Sequence, residues 1–230
     1  MHALVKFLFH INPVNFKVVA TLLWLFDSVL STLIIWKVPY TEVDWLTYIQ
    51  QVNRFEQGIR NYSEIRGDTG PIVYPAGHIW FYLILSRITN GGQNIRLAQY
   101  IFQFLYLVTM ILVFRIYYMS YRLPPFVLIM LCCTSYRIHS IYLLRLFNDP
   151  VAMLLFYIAV NLWLSRHFWL GSVVYSLIIV TLCSLAVSVK MNILLFSPAV
   201  LFVLLFNTGY WNTLQIIFSC TAVQVNSYCY

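Results

Sequence analysis

Charge is what this sequence has least of. Only 9% of its 230 residues are charged, where an ordinary soluble domain carries about 25%. Hydrophobic residues make up 61%, and the mean hydropathy is +0.79. A chain of this size in water needs a broad polar surface, and too few polar side chains are present to build one. That deficit excludes an ordinary water-soluble globule and makes lipid the solvent. Acids are scarcer still, seven against 14 Lys and Arg, for a net charge of +7. The bases are scattered singly, with no stripe to follow a phosphate backbone, which excludes nucleic acid as a partner. Five cysteines occur and none forms a Cys-x-x-Cys pair, so neither a zinc site nor a redox motif is indicated. No phosphate-cradling glycine loop, internal repeat or low-complexity segment is visible.

The apolar runs are long. A membrane-spanning helix needs about 20 mostly apolar residues, and the first candidate is Val18–Trp36, broken only by Asp27. Residues 1–17 form a short basic tail, with Lys6 and Lys17, that favours a cytosolic N-terminus. Further passes are expected at about 95–118, 125–144, 150–164, 171–189 and 192–206, with a weaker apolar run at 207–225. The segment from about 38 to 94 is read as one loop on the far side of the membrane. Its short apolar run, residues 72–88, is assigned to the interface. That choice puts Arg115, Arg122 and the Arg166-His167 turn on the cytosolic side, and leaves Arg145, Asp149 and Lys190 on the side of the loop.

Five of the seven acids fall within residues 42–68: Glu42, Asp44, Glu56, Glu64 and Asp68. Glu56 and Glu64 sit among Arg54, Arg60 and Arg66 and can simply pair with them. Asp44 directly follows the first pass, at membrane-surface depth, where a carboxylate can act as general base on a substrate presented at the bilayer boundary. Glu42-Val43-Asp44 can also be read as a weak metal-chelating pair. The run Gly67-Asp68-Thr69-Gly70-Pro71-Ile72-Val73-Tyr74-Pro75-Ala76-Gly77 is either a turn into the interface or the wall of a site with Asp68 and Tyr74 pointing inward. Intramembrane ionisable groups point to function by default; here they are Asp27, which can pair with a base on a neighbouring helix, and Arg137 and His139. Arg145, Asn148 and Asp149 gather in one turn and Lys190 in another. Two such bases suit a phosphate, or are end residues snorkelling to the interface. Asn61-Tyr62-Ser63 is an N-glycosylation sequon.

These residues resemble a known family. The matching segments are Asp44-Trp45, Gly67-Asp68-Thr69-Gly70-Pro71, Val73-Tyr74-Pro75-Ala76-Gly77, Arg96 with Ala98-Gln99, Pro124-Pro125-Phe126, and Ser135-Tyr136-Arg137-Ile138-His139-Ser140. Two more are the most specific: Leu144-Arg145-Leu146-Phe147-Asn148-Asp149-Pro150-Val151-Ala152-Met153 and Ser184-Leu185-Ala186-Val187-Ser188-Val189-Lys190-Met191-Asn192. Together they resemble the dolichyl-phosphate-mannose-dependent α-1,3-mannosyltransferases of the endoplasmic reticulum, over residues 37 to 225.

The resemblance implies an all-α polytopic membrane protein of the GT-C glycosyltransferase architecture, in the endoplasmic reticulum membrane. Its donor would be dolichyl-phosphate-mannose and its acceptor a dolichol-diphosphate-linked oligosaccharide, Man5GlcNAc2-diphosphate-dolichol, elongated on the luminal side in N-glycan precursor synthesis. It implies an inverting displacement with Asp44 as base. Asp68, Tyr74, Arg145, Asn148, Asp149 and Lys190 would bind substrate, and Asn61 is a glycosylation candidate. With no nucleotide in the donor the usual reason for a metal is absent, so no metal and no cofactor are expected. Members of the family are much longer, which implies a C-terminally shortened form, the N-terminal half only. A catalytically inactive short isoform and a transporter using Asp27, Arg137 and His139 are the competing readings. The second requires pseudo-symmetric broken helices, and the sequence shows none.

Overall fold

Asn12 starts the first long helix: its side-chain oxygen accepts the amide of Val14 at 2.8 Å, and Pro13 follows at the first helical position, where its missing N–H costs nothing. In the computed structural model, which describes residues 2–74, 76–134, 136–180 and 196–228, this helix, α2 (Pro13–Lys37), follows a short α1 (His2–Phe9). The helix that holds the pass expected at Val18–Trp36 thus begins at Pro13, and residues 1–17, expected as a tail, are mostly helical, because the Asn12 cap and Pro13 set the helix start before the apolar run begins. The chain continues through α3 (Trp45–Glu56), a two-stranded hairpin β1 (Arg66–Gly67) and β2 (Gly70–Pro71), α4 (Ala76–Ile88) and α5 (Ile95–Met119). Beyond these come α6 (Phe126–Thr134), α7 (Tyr136–His139), a π-helical turn (Ser140–Leu144), α8 (Asp149–Leu164), α9 (Phe168–Val180), α10 (Ser197–Thr208) and α11 (Tyr210–Tyr228).

Two compact units divide the chain. The first comprises residues 1–43 and 94–154. Its frame is α2 packed antiparallel on α5: Phe16 lies against Tyr118, Trp24 donates to the carbonyl of Leu107 at 3.2 Å, and Trp36 donates to Tyr100 at 2.7 Å. Each helix has 25 residues, about 37 Å of rise, enough to cross a hydrocarbon core of about 30 Å. Among the described residues these two are long and apolar enough to span, and a third span exists if the bent pair that follows counts as one. Within the segment expected as one pass at 125–144, Phe126–Thr134 and Arg137–Leu144 meet at 53°, and the second arm ends in a π turn. The second arm, with Arg137, His139 and Ser140, is the less apolar of the two.

Gln103 ties the long helices together; its amide nitrogen lies 3.1 Å from the carbonyl of Ser28, 2.8 Å from Ser31 Oγ and 2.9 Å from Thr32 Oγ1. Deeper still, Asp27 accepts the hydroxyl of Tyr106 on one oxygen and meets His139 Nε2 at 2.9 Å on the other. The intramembrane acid thus finds a base on a neighbouring helix, as the cost of burying a lone charge requires.

The second unit comprises residues 44–93 and 155–230. The expected loop at 38–94 is largely helical. Trp45, Tyr48, Ile49 and Val52 bury one face of α3, the i, i+3, i+4, i+7 spacing of an amphipathic helix, and α4 packs on it. With 13 residues, α4 rises about 20 Å, short of a bilayer's apolar core. Farther along the chain, α9 packs on α11, and Gly171 lets α9 approach α8 closely: a Cβ there would stand 2.6 Å from the Trp163 ring. The pass expected at 192–206 is the 12-residue α10, and the one expected at 171–189 is described only as far as Val180.

Candidate active site

Three contacts fix the head of α3, where Asp44 stands. The indole of Trp45, fully buried, donates to the carbonyl of Gly92 at 3.0 Å and sets its ring against Tyr82. Gly92, at φ +82°, presses so closely on Ile49 that an added Cβ would lie 2.7 Å from Ile49 Cγ1. Gly67 of the hairpin presses on Thr47 in the same way, with a virtual Cβ 2.8 Å from the Thr47 carbonyl. The helix is therefore gripped from two sides within its first two turns, and the carboxylate at its N-cap is carried by a fixed frame.

Asp44 is half-buried and its side chain makes no capping bond to the helix it precedes. One oxygen, Oδ2, lies 3.4 Å from the hydroxyl of Tyr48, and that hydroxyl is 3.3 Å from the hydroxyl of Tyr74. The rings of Tyr48, Tyr74, His78 and Tyr82 interlock, with Tyr74 stacked on His78 at 4.4 Å. Burial pushes the Tyr48 phenol well above its ordinary range, and neighbouring Tyr82 and the Asp44 charge push the same way. Tyr48 therefore stays a neutral donor at any working pH.

Of the residues expected to bind substrate, Tyr74 joins Asp44 through Tyr48. Asp68 is exposed and engaged from two directions: Gln50 Nε2 donates to its Oδ2 at 2.8 Å, while its own amide donates to Gln50 Oε1 at 2.8 Å. This pair pins the hairpin to α3, helped by Thr69 on Thr47. Glu56 and Glu64 do not take the expected partners. Glu56 meets Arg87 at 3.3 Å and Glu64 accepts from the side chain of Asn61 at 2.7 Å. Arg54, Arg60 and Arg66 donate to backbone carbonyls instead, with Arg60 also over the Phe55 ring.

Arg145, Asn148 and Asp149 belong to the first unit. They share one turn between the π turn and α8, whose entry is made by buried Leu146 at φ +49° and by the Asn148 carbonyl accepting from Val151 at 3.2 Å. Lys190 lies outside the described residues. Among the described residues no three His, Cys, Asp or Glu side chains are grouped as a metal site would need. Tyr48, Gln50, His78 and Tyr82 were absent from the sequence-based site; the spacing of Asp44 and Tyr48, four residues apart across a helix start, is the signal that points to the first of them.

Fold and site together define a helical, polytopic membrane protein with a carboxylate held at the head of a helix in the segment between its two long spans. The profile of the ALG3 protein family matches residues 21–228, and the chain belongs to that family. A dolichyl-P-Man:Man5GlcNAc2-PP-dolichol alpha-1,3-mannosyltransferase of Drosophila melanogaster is 48% identical over 215 residues, covering 94% of this chain and 43% of the relative. The Dol-P-Man:Man(5)GlcNAc(2)-PP-Dol alpha-1,3-mannosyltransferases of Mus musculus and Homo sapiens are 45% and 44% identical, each covering 90% of this chain and 45% of the relative. The chain spans about half the length of the curated relatives it matches. No solved structure matches it.

Proposed function

We propose that the chain acts in the transfer of mannose from dolichyl-phosphate-mannose to Man5GlcNAc2-diphosphate-dolichol, in α-1,3 linkage, at the luminal face of the endoplasmic reticulum membrane. The observation that carries this reading is the family match across almost the whole chain, with relatives that bear this activity in their names. Asp44 supplies the chemistry. A sugar hydroxyl is a poor nucleophile, so a positioned base must take its proton during attack. Asp44 has one oxygen occupied by Tyr48, and Oδ1 is the oxygen for the acceptor hydroxyl. As the proton passes to Asp44, the acceptor oxygen bonds to the anomeric carbon and the bond from that carbon to phosphate oxygen breaks. The electron pair leaves with dolichyl phosphate, which as a stable anion needs no proton. One displacement inverts the anomeric centre through an oxocarbenium-like transition state. Positive charge at the departing phosphate is assigned to Arg145 and Lys190, and no metal takes part.

The experiment is mannosyl transfer from labelled dolichyl-phosphate-mannose in microsomes lacking endogenous activity. The parent chain transfers mannose, EDTA leaves the rate unchanged, and Asp44→Asn lowers it by about 10²–10⁴-fold at equal expression. A parent chain that inserts normally and transfers nothing refutes the activity and leaves the inactive isoform as the reading; full activity in Asp44→Asn refutes the base.

A further inference from the structure

An aspartate at a helix N-cap ordinarily bonds the amides of the first turn. Asp44 does not. Its carboxylate is drawn to the side chain one turn along, the hydroxyl of Tyr48 at 3.4 Å. Tyr48 is 2% exposed, and its ring cannot swing, because Tyr74, His78 and Tyr82 close around it at centroid distances of 5.6, 4.6 and 4.6 Å. A phenol carries one proton, and an ionised carboxylate can only accept. The Tyr48 proton therefore points to Asp44 Oδ2, and the Tyr74 hydroxyl, 3.3 Å away, donates to the Tyr48 oxygen. Among the described residues, the rings of Tyr74, His78 and Tyr82 pack around Tyr48 from the turn after the hairpin and from α4.

We infer that Tyr48 is the positioning residue for Asp44, holding Oδ2 through the sequence Tyr74 to Tyr48 to Asp44 so that Oδ1 is presented to the acceptor hydroxyl. The inference rests on the reading of Asp44 as base. No proton travels along the two tyrosines; the acceptor's proton ends on Asp44. A carboxylate free to rotate spends most of its time misaligned, and holding one oxygen removes that loss before substrate arrives. The alternative, that Tyr48 merely fills space, requires only its ring.

The test compares parent, Tyr48→Phe and Tyr74→Phe as full chains in proteoliposomes. Carbodiimide labelling of Asp44 at pH 6, read by mass spectrometry, reports directly on the carboxylate and needs no turnover. Removing the donor frees the group from its partner, so Tyr48→Phe, which keeps the ring, labels about tenfold faster. Tyr74→Phe, one bond farther out, gives a smaller rise and stands in if Tyr48→Phe fails to insert. In the transfer assay Tyr48→Phe lowers kcat about tenfold with KM unchanged. Labelling of Asp44 in both variants at the parent rate overturns the inference whatever the activity. Faster labelling in Tyr48→Phe, with Asp44→Asn still fully active, refutes the base while leaving the Tyr48 contact standing.

Discussion

Gly92 offers the sharpest test of whether the head of α3 is held rigidly, and the consequences of a single methyl group there can be worked out. Its φ of +82° is a conformation in which an L side chain pays about 1–2 kcal/mol. Alanine would also place its Cβ 2.7 Å from Ile49 Cγ1 and 3.1 Å from both Cδ1 and Cγ2. Ile49 is buried and β-branched on a helix, so it has essentially one χ1 rotamer and cannot step aside. Overpacking of this kind costs about 1–3 kcal/mol. Gly91 next door is the control: at φ +69° it carries the same backbone strain, yet nothing lies within 4 Å of its virtual Cβ. Gly92→Ala should therefore melt below Gly91→Ala by the clash alone, about 2–12 °C for a chain of this size, followed by tryptophan fluorescence in detergent. Because the Gly92 carbonyl also receives the Trp45 indole, Asp44 labelling should change in Gly92→Ala and not in Gly91→Ala. Equal melting points for the two variants would refute the picture of a tightly gripped helix head.

Asp27→Ala strands His139 and the Tyr106 hydroxyl beside an apolar void and should cost about 3–5 kcal/mol. Replacing Asp27 and His139 together with leucine should cost less than either single replacement, and a double-mutant thermal-melt cycle with additive losses would show that they do not act as a pair. The Asn61 sequon is exposed, with the Ser63 hydroxyl donating to Asn61 Oδ1 at 2.9 Å. In cells the chain should show one glycan-sized mobility shift, removed by endoglycosidase and absent in Asn61→Gln. No shift in the parent would argue against a luminal position for this segment.

The long apolar passes could be read directly because α2 and α5 are single uninterrupted helices whose lipid-facing sides leave an unbroken hydropathy signal. Asp44 stood out for a related reason: where acids are rare, their clustering between 42 and 68 is informative. What escaped was contact between distant positions. Asp68 is tied to Gln50 18 residues away, and nothing in the local pattern around either residue announces it. Helix α3 was within reach, since Trp45, Tyr48, Ile49 and Val52 carry helical spacing, but its polar residues blended into the surrounding loop. The bend between Phe126–Thr134 and Arg137–Leu144 was out of reach, because polar residues such as Arg137 and His139 occur in straight passes as well as at breaks. The pairing of Asp27 with a base could be anticipated from the cost of a buried charge; that the base is His139, 112 positions later, could not.

The hydrogen bonds of Gln103 have a consequence for how the two long helices behave in a bilayer. Lipid tails are as apolar as leucine, so apolar contact gives α2 and α5 little reason to prefer each other over lipid, or one mutual rotation over another. A single amide nitrogen shared among Ser28, Ser31 and Thr32 supplies that preference. Turning either helix by one residue swings these groups about 100° apart and leaves them facing hydrocarbon. The pair therefore works as a keyed strut, with one angular setting, in a solvent that would tolerate all of them.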